Sequence, residues 1–381
     1  MKILIAPDSF KGNMRADEVC SAIENGIKRA NKNTIIHKIP LADGGEGTAR
    51  IITKSADGRL IKTIVTGPFN KKVEAEFGLI NNGNTAVLDI ASASGIELAN
   101  QSELNPMKAT SFGTGELIKA ALETGATELI IGVGGSATND GGIGMLSALG
   151  FKVLDKHGQS VGLSGDALAK IEMIDCDNAD KRLKKISIRA ARDVTNPLLG
   201  PNGASAIFGP QKRATPEMIK NLDAGLAKLA NAWIKAGLTK DVCQLCDGAA
   251  GGIGAALRVC LGASMESGAM LVMKRSDFFD YLPKCDLIIT GEGITESQTT
   301  NGKLCSTVAS EGRKAGVPVA LLSGALRGNV PNLLTIFDYA VSISCGQTDL
   351  GSMIKDSGRD LELAAENLIR SLLIGKNMRI L

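Results

Sequence analysis

Aromatic side chains and histidine are scarce in this sequence. Aromatic residues make up 3% of the 381 residues, and the only histidines are His37 and His157. Bases therefore have few rings to stack on, and the net charge of +3 comes from Lys and Arg scattered among Asp and Glu rather than from a basic stripe. We expect no nucleic-acid partner, no zinc site and no histidine-based nucleophile.

Long apolar runs are also lacking. No stretch approaches the roughly 18 consecutive apolar residues of a membrane-spanning helix, and the apolar start of the chain ends at Pro7-Asp8. The sequence therefore predicts no membrane span, no signal peptide and a cytoplasmic location. There the eight cysteines are expected to be reduced thiols, although the spacing of Cys243 and Cys246 also matches a redox CxxC.

The two ends of the chain share one pattern of predicted elements. A hydrophobic content of 44% over 381 residues predicts two domains. At the N-terminus, KILIAP predicts a strand, the apolar spacing from Ala16 to Ile27 predicts a helix, and TIIHKIP predicts a second, parallel strand. CDLIITGEG, PVALLSG and DYAVSIS repeat the strand pattern near the C-terminus, with helices at 307–315 and 361–373.

The middle of the chain differs from its ends. Alternation at Val73, Ala75 and Phe77 and the run TAVLDIA predict antiparallel strands, and a long helix is expected from Thr215 to about Gly237. The predicted fold class is α/β, with a discontinuous Rossmann-like parallel-sheet domain at residues 1–65 and 285–381. A second, mixed α/β domain is predicted as an insertion at 66–284.

Glycine-rich loops follow several predicted strands, which is where open α/β folds bind ligands. In the first, Lys11 could hold a phosphate or carboxylate, or the segment 8–12 could be a simple turn. In the second, Asp43 and Glu46 offer the oxygen atoms that Mg²⁺ prefers. The alternative is a helix start, with Asp43 as its cap.

A third loop, GVGGSATNDGG at 132–142, is rich in amides and hydroxyls that could bind an anion. Its GVGGSA also matches the dinucleotide fingerprint, with Asp155 near the distance expected for a ribose contact, so an NAD-binding unit is an alternative. That alternative needs a helix from about Gly134 onward, and Gly141 and Gly142 oppose one. We expect a longer irregular loop.

Two further loops carry acids and lysines. Asp193 could orient a hydroxyl or accept its proton, or form an Asx-turn, while Lys212 could neutralise phosphoryl charge. Glu292, Gln298 and the Gly302-Lys303 pair follow the strand CDLIIT. The glycines at 248–254 are expected to serve packing. These loops combine acidic residues, glycine and lysine and contain no catalytic His or Cys. Phosphoryl transfer uses this combination.

The ordered motifs of the chain resemble those of the bacterial type-1 glycerate kinase family. The motifs that carry this resemblance over nearly the whole chain are IAPDSFKG, PLADGGEGT, DIASASG, SFGTGELI, GVGGSATNDGG, ARDVTNPLLGPNGASAIFGPQK, GAAGGIGA and TGEGITESQTTNGK. The resemblance implies a two-domain α/β enzyme with its active site in a cleft. It also implies ATP and Mg²⁺ as cofactors, D-glycerate as substrate and, for most members, 2-phosphoglycerate as product.

Site residues are assigned on the matching positions, and their individual roles are our interpretation. The catalytic set is Asp193, Lys11 and Glu292, and the substrate-binding set is Asp8, Ser9, Ser94 and Asn196. The phosphate- or nucleotide-binding set is Gly134, Gly135, Ser136, Thr138, Asn139, Lys212 and Lys303, and the metal ligands are Asp43 and Glu46. In this interpretation Lys11 or a nest of amides holds the glycerate carboxylate.

The sequence departs from the family pattern beside these positions. Arg192 replaces a small residue, Arg213 stands where Gly is common, Glu296 stands where Asp is usual, and 304–307 replaces a stretch with Pro and Gly. The alternatives to the kinase are an NAD-dependent oxidoreductase acting on a small hydroxy acid and a non-catalytic sugar-acid sensor. A homodimer is one oligomeric state compatible with the kinase.

Overall fold

The computed structural model describes residues 1–242, 244–296, 303–328, 330–346 and 349–377. The helices are α1 Ala16–Ala30, α2 Thr48–Ser55, α3 Ala91–Ser94, α4 Phe112–Glu123, α5 Ile143–Ala148, α6 Ala204–Phe208, α7 Pro216–Lys235, α8 Ile253–Leu261, α9 Gly268–Arg275, α10 Phe278–Tyr281, α11 Leu304–Ala315 and α12 Leu350–Asn377. The strands are β1 Lys2–Ile5, β2 Ile35–Lys38, β3 Arg59–Thr66, β4 Lys72–Ile80, β5 Thr85–Asp89, β6 Glu128–Gly132, β7 Lys152–Leu154, β8 Met173–Asp175, β9 Ser187–Arg192, β10 Ser264–Ser267, β11 Leu287–Thr295, β12 Val319–Leu326 and β13 Tyr339–Ser342.

Backbone contacts divide the chain into two compact units. The first unit combines Met1–Asp43 with Val272–Leu381, and the second unit is Gly44–Leu271. The predicted α/β class, with a parallel sheet built from both chain ends, is confirmed. The domain boundaries near residues 65 and 285 stay a prediction.

The sheet of the first unit is parallel throughout, in the order β13-β12-β11-β1-β2. Ile3 and Ile5 of β1 are fully buried because helices of the same unit cover the sheet, and Ile23 of α1 and Leu361 of α12 belong to the same core. The strand, helix and strand predicted at the N-terminus are confirmed. The strands and final helix predicted near the C-terminus are confirmed as β11, β12, β13 and α12.

The sheet of the second unit is mixed, in the order β10-β9-β6-β5-β4-β3. Strand β4 is antiparallel to both β3 and β5, as the alternation around Ala75 and Phe77 predicts, and both residues are 1% exposed. The pairs β5-β6, β6-β9 and β9-β10 are parallel. The carboxyl ends of four strands therefore lie along one edge, where their following loops meet.

Helix α7 begins and ends as its sequence predicts. The Thr215 hydroxyl accepts a hydrogen bond from the Met218 N–H at 3.2 Å, Pro216 opens the helix, and Gly237 follows its end with φ of +70°. Trp233 on its buried face is fully enclosed. None of the described helices is long and apolar enough to cross a membrane.

Candidate active site

Four of the assigned residues come together in the first unit. Asp8 follows β1, Glu292 lies in the adjacent strand β11, and Asp43 follows β2 on the other side of β1. The Lys11 ammonium donates to Asp43 Oδ2 at 2.7 Å, and Ser9 N–H donates to Asp8 Oδ1 at 2.7 Å. We call Asp8, Lys11, Asp43 and Glu292 the acidic cluster.

Burial in the acidic cluster raises the pKa values of two of its carboxyl groups. Burial, together with the charges of Asp43 and Glu292, raises the pKa of Asp8 to about 8 against the opposing effects of Lys11 and the Ser9 N–H. Burial also raises the pKa of Glu292, while the Thr295 hydroxyl, which donates to its Oε1 at 2.9 Å, and the charge of Lys303 lower it. A cation beside these carboxylates would lower both pKa values.

The donor chemistry of the acidic cluster fits Mg²⁺. The described residues contain no group of three or more His, Cys, Asp or Glu arranged as a metal site. Mg²⁺ nevertheless needs only one or two carboxylates when water and phosphate oxygens complete its octahedron. Asp8 and Asp43 can supply these, whereas Glu46, the second assigned ligand, is an exposed residue of the second unit.

Asp89, which the sequence analysis missed, organises the loop that carries Glu46. The Asp89 carboxylate accepts hydrogen bonds from the N–H groups of Ala49, at 3.0 Å, and Gly47, so it serves the N-terminus of α2. The alternative in which Asp43 caps this helix is wrong. Burial, with a smaller effect from the charges of Glu46 and Glu76, raises the pKa of Asp89 to about 8 against the lowering effect of the two N–H groups.

The glycine-rich segment after β6 is an irregular loop that reaches α5 at Ile143, as expected. Gly141 and Gly142 have φ of +62° and +79°, which excludes a helix through them. Asp155 lies in an exposed turn and accepts hydrogen bonds from the N–H groups of His157 and Gln159. Strand β7 pairs with β8 rather than with β6, so the structure lacks the dinucleotide-binding unit in this described segment.

The assigned nucleotide-binding residues of this loop divide into accessible and buried ones. Gly135 is exposed and Gly134 partly exposed, whereas Thr138 and Asn139 are fully buried. The buried Lys212 ammonium donates to Thr138 O at 2.6 Å and Ser136 Oγ at 3.2 Å. Burial lowers the pKa of Lys212 to about 7. Lys212 therefore supports the loop from its inner side.

Asp140 is a second buried acid that the sequence analysis did not single out. Its Oδ2 accepts hydrogen bonds from the Ser111 N–H at 2.8 Å, the Ser111 hydroxyl at 2.7 Å and the Gly144 N–H at 3.3 Å. Its Oδ1 accepts one from the Gly142 N–H at 3.1 Å. Burial raises the pKa of Asp140 against these hydrogen bonds. The only sequence signal was its place in the glycine-rich motif, because Ser111 is distant in the chain.

The catalytic assignment Asp193 and the substrate-binding assignments Asn196 and Ser94 lie beyond the ends of β9 and β5. Asp193 directly follows β9 and is half-buried, and the Asn196 side-chain amide donates to Asn202 O at 2.9 Å. Ser94 is fully buried, with its hydroxyl 2.8 Å from that of Thr114. The structure thus leaves Asp193 partly accessible and turns Ser94 into the interior.

Two predictions about glycine can be compared with the structure. The segment 248–254 serves packing, because a Cβ on Gly251 would lie 2.2 Å from Thr138 O. Arg213, which stands where Gly is common in the family pattern, has φ of +64°.

Lys303 immediately precedes α11, while Cys243, Gln298 and Gly302 lie outside the described residues.

Comparisons with known proteins agree along nearly the whole chain. The model of the Glycerate kinase family matches residues 3–373. A glycerate kinase from Haemophilus influenzae is 42% identical over 376 residues, covering 98% of this chain and 99% of the relative. A glycerate 2-kinase from Escherichia coli is 46% identical over 331 residues and 87% of each chain. A crystal structure from Salmonella typhimurium LT2, named as a candidate glycerate kinase 2, superimposes with a TM-score of 0.83 at 40% identity over 99% of each chain.

Proposed function

The chain belongs to the glycerate kinase family, and from that premise we propose that it phosphorylates D-glycerate with ATP and Mg²⁺ to give 2-phosphoglycerate. The observation that carries the proposal is the acidic cluster, in which Asp8, Asp43 and Glu292 lie with Lys11 at the carboxyl ends of parallel strands. Carboxylates and a lysine without a nucleophilic His or Cys suit phosphoryl transfer.

We assign Asp8 and Asp43 to Mg²⁺ and Glu292 to a supporting position beside them. When bound, Mg²⁺ supplies positive charge against the phosphate oxygens of the nucleotide. Lys11 and Lys303 add further positive charge near these carboxylates. The pKa of Asp8 is raised first by burial and next by the charge of Asp43, and a cation held between these two carboxylates would favour the ionised form of Asp8.

In the second unit we assign the N–H groups of Gly134 and Gly135 to the nucleotide phosphates, with Lys212 keeping their loop in place. We assign Asp193 to the reacting hydroxyl, where its carboxylate would accept the hydroxyl proton as the oxygen attacks phosphorus. Asn196 follows on the same loop and would limit how the acceptor is oriented.

Phosphorylation at the 2-position is supported by the name of the Escherichia coli relative, a glycerate 2-kinase at 46% identity. The position can be tested by ³¹P NMR of the product formed from D-glycerate. A 2-phosphate is bonded through a carbon with one hydrogen and gives a doublet, whereas a 3-phosphate is bonded through a methylene group and gives a triplet. We expect the doublet, and a triplet would contradict the assigned position.

A further inference from the structure

An open cavity of about 690 Å³ lies within the second unit, beside β9, β10 and α8. Its described lining contains no acidic side chain. The residues that line it are Arg192, Gln244, Leu245, Cys246, Arg258, Ala263, Ser264 and Met265. The lining therefore contains guanidinium and amide groups that can donate hydrogen bonds, whereas the Ser264 hydroxyl donates to Ile188 O at 3.4 Å.

The two arginines of the cavity differ in their charge balance. Arg258 is neutralised by Asp247, because its Nε donates to Oδ1 at 2.8 Å and its Nη2 to Oδ2 at 2.6 Å. No ion pair joins Arg192 to a carboxylate in the part of the chain that the structure describes. The wall of the cavity therefore carries about one uncompensated positive charge.

The Arg192 guanidinium also has an unused donor. Its Nε atom is buried and makes no hydrogen bond within the described chain. A buried donor without a partner is destabilising, and arginine donors pair readily with carboxylate and phosphate oxygens. Cys246, another lining residue, has φ of +81° and is almost fully buried, so part of the cavity wall is held in a conformation that non-glycine residues rarely adopt.

We propose that Arg192 makes this cavity a binding site for a small oxyanion, either a carboxylate or a phosphate group. The anion would accept hydrogen bonds from the guanidinium of Arg192 and balance its charge, while the Gln244 side chain offers a neutral amide donor beside it. Asp193, to which we assign the reacting hydroxyl, is not among the residues that line this cavity, and binding in the cavity can be detected without turnover.

Isothermal titration calorimetry of the full chain without ATP tests the proposal, with D-glycerate as the ligand in one series and inorganic phosphate in another. Arg192→Met removes the charge and the unused donor but no side-chain hydrogen bond to any residue that the structure describes, so we expect its melting temperature to be no lower than that of the original chain. The Arg192→Met substitution should weaken the binding of the anion that the cavity holds, either D-glycerate or phosphate, about tenfold or more. Arg192→Lys, which keeps the charge, should restore part of the affinity.

Arg59→Met is the matched control, because Arg59 is exposed on β3 at the opposite edge of the same sheet. Loss of D-glycerate binding in Arg192→Met but not in Arg59→Met would identify a carboxylate site. Loss of phosphate binding in Arg192→Met but not in Arg59→Met would identify a phosphate site. Absence of binding to the original chain, or equal affinities in all variants, would overturn the proposal. Because no nucleotide is present, these outcomes stay distinct from a failure of the kinase activity.

Discussion

The carboxyl groups of Asp8 and Asp89 have similarly raised pKa values, each about 8, but different neighbours. Burial is the largest cause at both residues. The charges of Asp43, Lys11 and Glu292 also act on Asp8, whereas at Asp89 two backbone N–H groups of the α2 terminus lower the pKa and the charges of Glu46 and Glu76 raise it. Charged neighbours that only partly cancel leave Asp8 suited to a cation. Asp89 is satisfied by the protein itself, which indicates a structural role.

Asp193→Asn is the substitution that tests the reacting-hydroxyl assignment. An amide keeps the size of the side chain but cannot accept the hydroxyl proton, so we expect kcat to fall about 10²- to 10⁴-fold with little change in KM for D-glycerate. Steady-state kinetics at saturating ATP measures both constants. A rise confined to KM would show that Asp193 only binds the substrate.

Asp89→Asn should change how stability depends on pH. The folded-state pKa of Asp89 is raised from 3.8 to about 8, so its protonated form is favoured on folding. The stability it contributes is fully present below pH 3.8 and is lost as pH rises toward 8. Relative to that of the original chain, the free energy of unfolding of Asp89→Asn should therefore increase as pH rises from about 4 to about 8.

Urea denaturation across that pH range measures the difference. Asp155→Asn is the control, because the pKa of this exposed carboxyl is lowered by the N–H groups of Gln159 and His157. It is ionised in both states above pH 5, so its effect should not vary with pH over that range. A constant difference between Asp89→Asn and the original chain would contradict the assigned pKa.

At the scale of elements, two glycine-rich segments of the second unit pack directly on each other. Gly141 N–H donates to Gly251 O at 3.0 Å, and the backbone at Gly251 lies too close to Thr138 for any side chain. The loop after β6 is therefore held by the 248–254 segment as well as by Lys212. Such support keeps the N–H groups of Gly134 and Gly135 in a fixed arrangement.

Gly251→Ala should destabilise the protein more than Gly262→Ala. Both glycines have positive φ, +68° and +69°, so each substitution costs about 1–2 kcal/mol of backbone strain. The Cβ at 251 would also lie 2.2 Å from Thr138 O, whereas nothing lies within 4 Å at 262. This overpacking adds about 1–3 kcal/mol to the effect on the free energy of unfolding, measured by urea denaturation. Equal effects would contradict the packing account.

Elements with local signals were predictable, and contacts between distant elements were not. Strand β1, helix α7 and the irregular loop before α5 follow from β-branched runs, a capping Thr215 with Pro216, and Gly141 with Gly142. Nothing in the sequence indicated that Asp89 would serve the terminus of α2 or that Ser111 would bind Asp140. Those partners meet only through the tertiary packing of segments that are distant in the chain.

At the scale of the whole molecule, the shared pattern of the two chain ends predicted that they form one sheet. Parallel pairing of β1 with both β2 and β11 bears this out. The inserted position of the mixed sheet was also predictable from the change to alternating residues at β4. Burial of Ser94, Thr138, Asn139 and Lys212 was not, because motif position does not reveal which side of a loop faces the interior.

ADP release by the purified chain measures the proposed kinase activity itself. The assay contains ATP, Mg²⁺ and D-glycerate, with parallel reactions that replace D-glycerate by L-glycerate or glycerol, and one that omits the metal. We expect ADP release with D-glycerate that requires Mg²⁺, and slower release with L-glycerate or glycerol. Folded protein that binds ATP but releases no ADP with D-glycerate would contradict it.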